Sequence, residues 1–320
     1  MAPSAAPFVS ALVAFFVSLL IGPWLISYLH RLRAGQRVRE DGPKTHLTKS
    51  GTPTMGGIMI VIALVVATVF FYPLTDNQII MLFAIVGFAV VGFLDDYIKV
   101  VAKRSLGLRA REKLVAQFGL GLLIALYASA RVGTDFLIPF STNTLELPVW
   151  LYVPVTVFVL VGTVNAVNLT DGLDGLATTS VAVSMTAFGL IAFLLGYYDL
   201  TVVTGALVGG CLGFLWFNAP PARIIMGDTG SFGLGAALAA IAILTKTTLY
   251  LPIIGALYVI ETLSVIIQVA YFRLTRGGRV FRMAPLHHHF EETGLAETTV
   301  MIRFVLTAVL FAAVGLLAFL

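Results

Sequence analysis

Charge is scarce in this sequence. Only 11% of its 320 residues are Asp, Glu, Lys or Arg, and 59% are apolar. Soluble domains run to roughly 25% charged and 45–50% apolar. With a mean hydropathy of +0.98, these values exclude an ordinary water-soluble domain. Cysteine is almost absent too. Cys211 stands alone inside an apolar run, so it can form no intramolecular disulfide and is expected as a small core side chain. There is no Walker loop and no kinase signature. No soluble domain, low-complexity stretch or obvious internal repeat interrupts the chain. The N-terminus lacks the basic region and cleavage site of a signal peptide, so the run 8–29 is expected to be a retained membrane anchor.

What the chain does have is long apolar runs, each a candidate spanning helix at about 20 residues. Ten occur, at 8–29, 54–73, 78–97, 113–131, 148–167, 177–195, 200–217, 231–247, 250–272 and 300–320. The net charge of +4 would suggest nucleic acid in a soluble protein. Here its distribution points instead to the bilayer, because Lys and Arg are retained on the cytoplasmic side. Arg31, Arg33, Arg37, Arg39, Lys44 and Lys49 lie in the first loop, and Lys99, Lys103, Arg104, Arg109, Arg111 and Lys113 in the third. Arg223 lies in the seventh, and Arg273, Arg276, Arg279, Arg282 and, at its far end, Arg303 in the ninth. Odd-numbered loops thus hold 18 of the 20 basic residues, leaving Arg131 and Lys246 for the other side. The expectation is an all-α polytopic membrane protein of about ten transmembrane helices, one integral-membrane domain over 1–320. Both termini would face away from the cytoplasm. The loop from Asp135 to Pro148 is expected to form a small external hairpin.

The acids gather on the side that the basic loops make cytoplasmic. Asp95 and Asp96 close the third span, Asp171 and Asp174 open the fifth loop, and Asp228 ends the seventh. Adjacent helical positions lie about 100° apart, so Asp95 and Asp96 cannot share one direction. A metal for one and a second ligand for the other is one reading; a helix end paired with Lys99 is the alternative. Asn165, Asn168, Asp171 and Asp174 recur every third residue. That stripe stays aligned only in a tightened or broken helix, and Gly172 and Gly175 favour the break. No basic residue in this loop neutralises its two acids, which calls for a metal or a ligand rich in donors; capping of the following helix is the plainer use. From Asn218 to Ser231 glycines again surround an acid, Asp228, at a helix start.

His287, His288 and His289 are consecutive, so they point apart on a helix, and no cysteine accompanies them. Phosphate or sugar contacts are favoured over zinc. Glu261 is the one deeply placed acid, with Gln268 seven residues on along one face, and a satisfied buried polar pair between helices is the plainer expectation there. Carboxylates with Lys and Arg at a membrane surface suit a polyanionic substrate held by a hard divalent cation, Mg²⁺ or Mn²⁺. Phosphoryl-type transfer, which needs positioning and charge neutralisation, fits such a site. Acids confined to one face argue against a secondary transporter, whose sites lie near the midplane.

The segments Gly51-Thr-Pro-Thr-Met-Gly-Gly57, Gly92-Phe-Leu-Asp-Asp-Tyr-Ile-Lys99, Asn165-Ala-Val-Asn-Leu-Thr-Asp-Gly-Leu-Asp-Gly-Leu176, Met226-Gly-Asp-Thr-Gly-Ser231 and Pro285-Leu-His-His-His-Phe-Glu291 carry a resemblance. In order and over nearly the full chain, they resemble the phospho-N-acetylmuramoyl-pentapeptide transferase family. That family belongs to the polyprenyl-phosphate N-acetylhexosamine-1-phosphate transferase superfamily. The Asp and Asn motifs look like the whole superfamily, and the His run like the muramoyl-pentapeptide branch. The resemblance implies Mg²⁺-dependent transfer of phospho-MurNAc-pentapeptide from UDP-MurNAc-pentapeptide to undecaprenyl phosphate. Lipid I and UMP would form at the cytoplasmic face of a bacterial inner membrane. It also allows a homodimer, and it involves no nucleic acid. A sibling that transfers GlcNAc-1-phosphate to a polyprenyl phosphate is the alternative.

Carried over by motif, Asp228 is the implied Mg²⁺ ligand, with Asp95, Asp96 or Asp174 as further candidates. Asp95 and Asp96 are acceptor-side acids, while Asn165, Asn168, Asp171 and Asp174 serve the nucleotide and pyrophosphate. Lys49, Thr54, Lys99, Lys103, Lys113 and Asn218 are implied to bind substrate. His287 and His288 are implied as catalytic residues at the substrate end, with His289 beside them. Ile225 stands where the family commonly carries Phe beside the uracil, so the nucleotide is expected to rely more on hydrogen bonds.

Overall fold

The computed structural model describes residues 5–32, 51–69, 74–100 and 107–320. Their helices are α1 (Ala6–Arg31), α2 (Gly57–Val69), α3 (Asp76–Val100), α4 (Ala110–Arg131), α5 (Val149–Thr170), α6 (Leu176–Leu194), α7 (Tyr198–Asn218), α8 (Gly227–Leu244), α9 (Leu251–Ile254), α10 (Ala256–Leu274), α11 (Leu286–Glu292) and α12 (Glu297–Leu316). Nine are long and apolar enough to cross a membrane, namely α1, α3 to α8, α10 and α12. At 1.5 Å per residue the 26 residues of α1 extend about 39 Å, more than the ~30 Å hydrocarbon layer. The predicted span 54–73 corresponds to α2, whose 13 described residues are apolar but shorter. The chain is therefore an all-α, multi-pass membrane protein.

Two predicted spans differ in detail. The span 250–272 is broken: a 3₁₀ turn at Thr248–Tyr250 leads into α9, and Gly255 separates α9 from α10. Gly255 sits at φ −95°, ψ 24°, outside the helical region, and glycine weakens a helix interior. The span 231–247 instead begins as α8 at Gly227, which puts Asp228 in its first turn. Asp96 supplies the cap that permits the earlier start, as described below.

Helix α8 is the centre of the bundle. Every residue from Thr229 to Leu244 is buried, and most are Gly, Ala, Leu or Ile. Small side chains let α2, α3, α5 and α6 pack on all its sides, which is the usual device where no hydrophobic force separates helix from lipid. The same device joins α1 to α7, which Ser10 and Ser18 stitch by donating to the carbonyls of Val202 and Gly210. At Gly209 the backbones come so close that a Cβ would stand 1.9 Å from the Ala11 carbonyl oxygen.

The expected hairpin is present as β1 (Asp135–Leu137) and β2 (Thr144–Glu146), antiparallel with Phe136 opposite Leu145. Lys246, just past α8, pairs with Asp135 at 2.6 Å. The hairpin thus marks the end of the bundle opposite Asp228, which opens the same helix.

Gly209→Val is expected to separate α1 from α7, because the added side chain meets backbone that cannot swing aside. Overpacking of this kind costs about 1–3 kcal/mol, and more where backbone blocks relief. A thermal-unfolding series in detergent should show a midpoint well below wild type, and a melting curve like the wild type's would refute the packing argument.

Candidate active site

Helices α3 and α5 end where α4 and α8 begin, so up-and-down threading brings four distant segments to one end of the bundle. At that end Asp95 and Asp228 share two lysines. Lys99 Nζ lies 2.5 Å from Asp95 Oδ2 and 3.1 Å from Asp228 Oδ2, and Lys113 Nζ lies 2.8 Å and 2.9 Å from the same atoms. The second oxygens are also used. Asp95 Oδ1 accepts the Leu108 N–H at 2.7 Å, and Asp228 Oδ1 accepts from Asn168 Nδ2 at 2.9 Å. Asn168 also donates to Ser231 Oγ. Asp95 is fully buried, a position a carboxylate holds only when paired and hydrogen-bonded.

Asp96 points elsewhere, as the 100° spacing requires. It accepts the backbone N–H groups of Asp228 (3.2 Å) and Thr229 (2.9 Å), and the Thr229 hydroxyl at 2.7 Å. These N–H groups have no partner within α8, so Asp96 caps that helix from a neighbouring one, where its negative charge also suits the helix dipole. The close approach depends on Gly92, whose Cβ, if present, would stand 2.1 Å from the Asp228 carbonyl oxygen. The segment before α2 braces the same point. Ile225 N–H donates to the Pro53 carbonyl, and Gly56 and Gly57 N–H donate to the carbonyls of Ile225 and Met226. The Thr54 hydroxyl lies beside Gly227, where an added Cβ would be 2.9 Å away.

One candidate ligand atom each from Asp95, Asp96 and Asp228 lies within 4.8 Å of the others. Three carboxylates against two ammonium groups leave one net negative charge in a largely buried volume. All the donors are hard oxygens and none is sulfur. A divalent cation of the Mg²⁺ class fits that set.

The stripe from Asn165 to Asp174 does not converge. The helix of α5 runs through Thr170 and ends with Asp171 as its C-cap. Asn165 donates to Gln117 Oε1 (2.7 Å) and to the Val161 carbonyl, away from the carboxylates. Asp174 stands outside the carboxylate cluster: its Oδ2 accepts the Ala222 N–H and its own N–H donates to Glu297 Oε1. Asn218 is wholly engaged in bracing the loops, accepting from Gly175 N–H and the Thr178 hydroxyl and donating to the Ile224 carbonyl. Lys49 and Lys103 lie outside the described residues.

The three histidines diverge. His287 is buried with Nδ1 3.2 Å from Glu261 Oε2, and its ring packs on Gly172, where a Cβ would be 2.1 Å from Nε2. His288 Nδ1 lies 2.7 Å from Glu291, and His289 Nδ1 accepts the Arg282 N–H. The buried partner of Glu261 is therefore His287, not Gln268. Gln268 accepts the N–H groups of Val280 and Phe281, because the ninth loop folds back onto α10. Sequence reasoning missed Gln117, Thr229 and Ser231. Gln117 carried a signal, since it lies four residues from Lys113 and so on the same face of α4.

The fold and site define a multi-pass membrane protein with a buried carboxylate–lysine centre at one end of its helices. The model described as glycosyl transferase family 4 matches residues 78–246, and that of phospho-N-acetylmuramoyl-pentapeptide-transferase signature 1 matches 49–61. The phospho-N-acetylmuramoyl-pentapeptide-transferase of Desulforudis audaxviator is 52% identical, covering 96% of each chain. That of Bacillus subtilis is 46% identical over 95% of each, and that of Clostridium botulinum 44% over 96% of this chain and 94% of its own. The chain belongs to the phospho-N-acetylmuramoyl-pentapeptide-transferase family of membrane enzymes.

Two substitutions separate the duties of these residues. Asp96→Ala removes the cap of α8 and should lower stability by about 1–2 kcal/mol, read as a lower melting temperature; an unchanged one would deny the cap. Gln117→Leu breaks the link between α4 and α5 one turn from Lys113 and Asn168. It should slow turnover by roughly ten- to a hundredfold, the cost of a small misplacement, with the melting temperature near wild type. Wild-type kinetics in Gln117→Leu would remove it from the site's support.

Proposed function

We propose that the chain transfers phospho-MurNAc-pentapeptide from UDP-MurNAc-pentapeptide to undecaprenyl phosphate, giving lipid I and UMP. The observation that carries this reading is the Asp95–Lys99–Lys113–Asp228 centre, where two ammonium groups meet carboxylates at the boundary between a lipid phase and water. A water-soluble pyrophosphate and a lipid phosphate can both reach such a boundary. The names of the relatives and the match over 49–61 favour the muramoyl-pentapeptide substrate over a GlcNAc-1-phosphate sibling. The concentration of basic residues at this end favours a cytoplasmic site in a bacterial inner membrane, with both termini outside. The whole chain would act as one integral-membrane transferase domain.

In the proposed reaction an oxygen of the lipid phosphate forms a bond to the β-phosphorus. The bond from that phosphorus to the bridging oxygen breaks, and UMP leaves with the electron pair. The attacking phosphate is already ionised, so no base is required. Lys99 and Lys113 can exchange their carboxylate partners for phosphate oxygens, orienting the two anions and offsetting their repulsion. Asp228, with Asp95, would hold Mg²⁺ or Mn²⁺, which supplies neutralisation of the charge on the transferring and departing oxygens. Asn168 keeps the Asp228 carboxylate in place, and Asp96 keeps the start of α8 in place. The loop of Asp171 and Gly172, with His287 packed on it, would line the nucleotide side.

A UMP-release assay with undecaprenyl phosphate tests the proposal directly. UDP-MurNAc-pentapeptide should be turned over only with a divalent cation present, and UDP-GlcNAc should not. The reverse preference would assign the sibling activity. Asp228→Asn is expected to leave less than a tenth of wild-type turnover at any Mg²⁺ concentration, as loss of a metal ligand requires; greater residual activity would deny Asp228 that role.

A further inference from the structure

One charge on the lipid-facing surface has no partner in the site described above. Helix α12 carries Arg303 six residues past its first, Glu297, not at the far end of the ninth loop as its sequence position suggested. Its neighbours Ile302, Leu306, Val309 and Leu310 are exposed and apolar, as suits a face turned to acyl chains. Arg303 forms no ion pair among the described residues. A guanidinium on a membrane-spanning helix is costly unless it meets a counter-charge or reaches the interface.

Beside it lies a groove of about 270 Å³ between α10, α11 and α12. Leu257, Ile260, Phe290, Phe304 and Thr307 form its walls, and Arg303 is the one charged residue lining it. A cation next to an apolar trough matches an anionic head joined to a hydrocarbon tail. Guanidinium is also the side chain best suited to grip phosphate in a bidentate way.

We propose that this groove binds an anionic phospholipid of the bilayer, its phosphate on Arg303 and an acyl chain along Ile260 and Phe304. The reacting lipid phosphate is a poorer occupant. The groove belongs to α10, α11 and α12, whereas the carboxylate–lysine centre is built on α3, α4, α5 and α8. The bound lipid ties α12 to α10 and α11. Because α11 holds His287 against Gly172, occupancy steadies the ninth loop where it meets the turn after α5.

The test uses delipidated full-length protein in detergent, with phosphatidylglycerol or phosphatidylcholine added back. Native mass spectrometry should show one phosphatidylglycerol retained, accompanied by a rise in melting temperature that phosphatidylcholine does not give. Arg303→Gln should lose both effects while releasing UMP in detergent at the wild-type rate. Thr307→Trp, which fills the groove and leaves the charge, should lose them too. Retention of phosphatidylglycerol by both variants as by wild type would overturn the proposal. So would one-for-one displacement of that lipid by undecaprenyl phosphate, which would give the groove to the acceptor. A shift of Arg303→Gln from dimer to monomer in the absence of lipid would give it to a second copy instead.

Discussion

Two lysines shared between two aspartates hold this site together. Asp95 lies at the end of α3 and Asp228 in the first turn of α8, with Lys99 and Lys113 between them at 2.5 to 3.1 Å. At the edge of a hydrocarbon layer none of these charges is stable alone, and removing one strands the others. The network therefore fixes how α3, α4 and α8 meet. With Asp96 beside it the site carries one more carboxylate than ammonium group, which suits a cation, and the ammonium partners are labile, which suits phosphate. The same electrostatics thus serve packing and substrate capture.

Around that network the bundle is arranged to bring backbone close to backbone. Glycine at position 92 lets α3 touch the start of α8, and Asp96 then becomes the cap of α8 instead of a free acid. The strand-like pairing of residues 53–57 with 225–226 closes the other side of the same turn. A second support lies at the turn after α5, where His287 packs on Gly172 and answers to Glu261. Two separate loops, one before α2 and one before α12, thereby brace the ends of helices that carry the reactive groups.

Much of this was legible beforehand. Apolar runs, interrupted by basic loops, marked the multi-pass all-α architecture and the order of its helices because a bilayer imposes length and polarity on each crossing. Ten spans were expected, and nine helices among the described residues are long and apolar enough to cross. The grouping of Asp95, Asp96 and Asp228 followed from their place at the ends of those runs. The break expected from Gly172 in the three-residue spacing from Asn165 to Asp174 is present, since the helix stops at Thr170, but the spacing did not show that Asn165, Asn168 and Asp174 turn to different partners. A buried polar pair between helices was expected at Glu261, but its partner could not be named: His287 is brought in by a loop that folds back.

By itself the sequence determined that this protein is a multi-pass membrane protein and that Asp95, Asp96 and Asp228 stand together at one end of its helices. Those features depend on the solvent and on local periodicity, which act on short stretches of chain. Which oxygen of which acid meets Lys99, Lys113 or the start of α8 was decided only by the tertiary structure. The pairing of Asp95 with Lys99 is local, four residues along one helix. The meeting of Lys99, Lys113 and Asp96 with the start of α8 instead turns on angstrom-scale approaches between residues more than a hundred positions apart, and no local pattern encodes it.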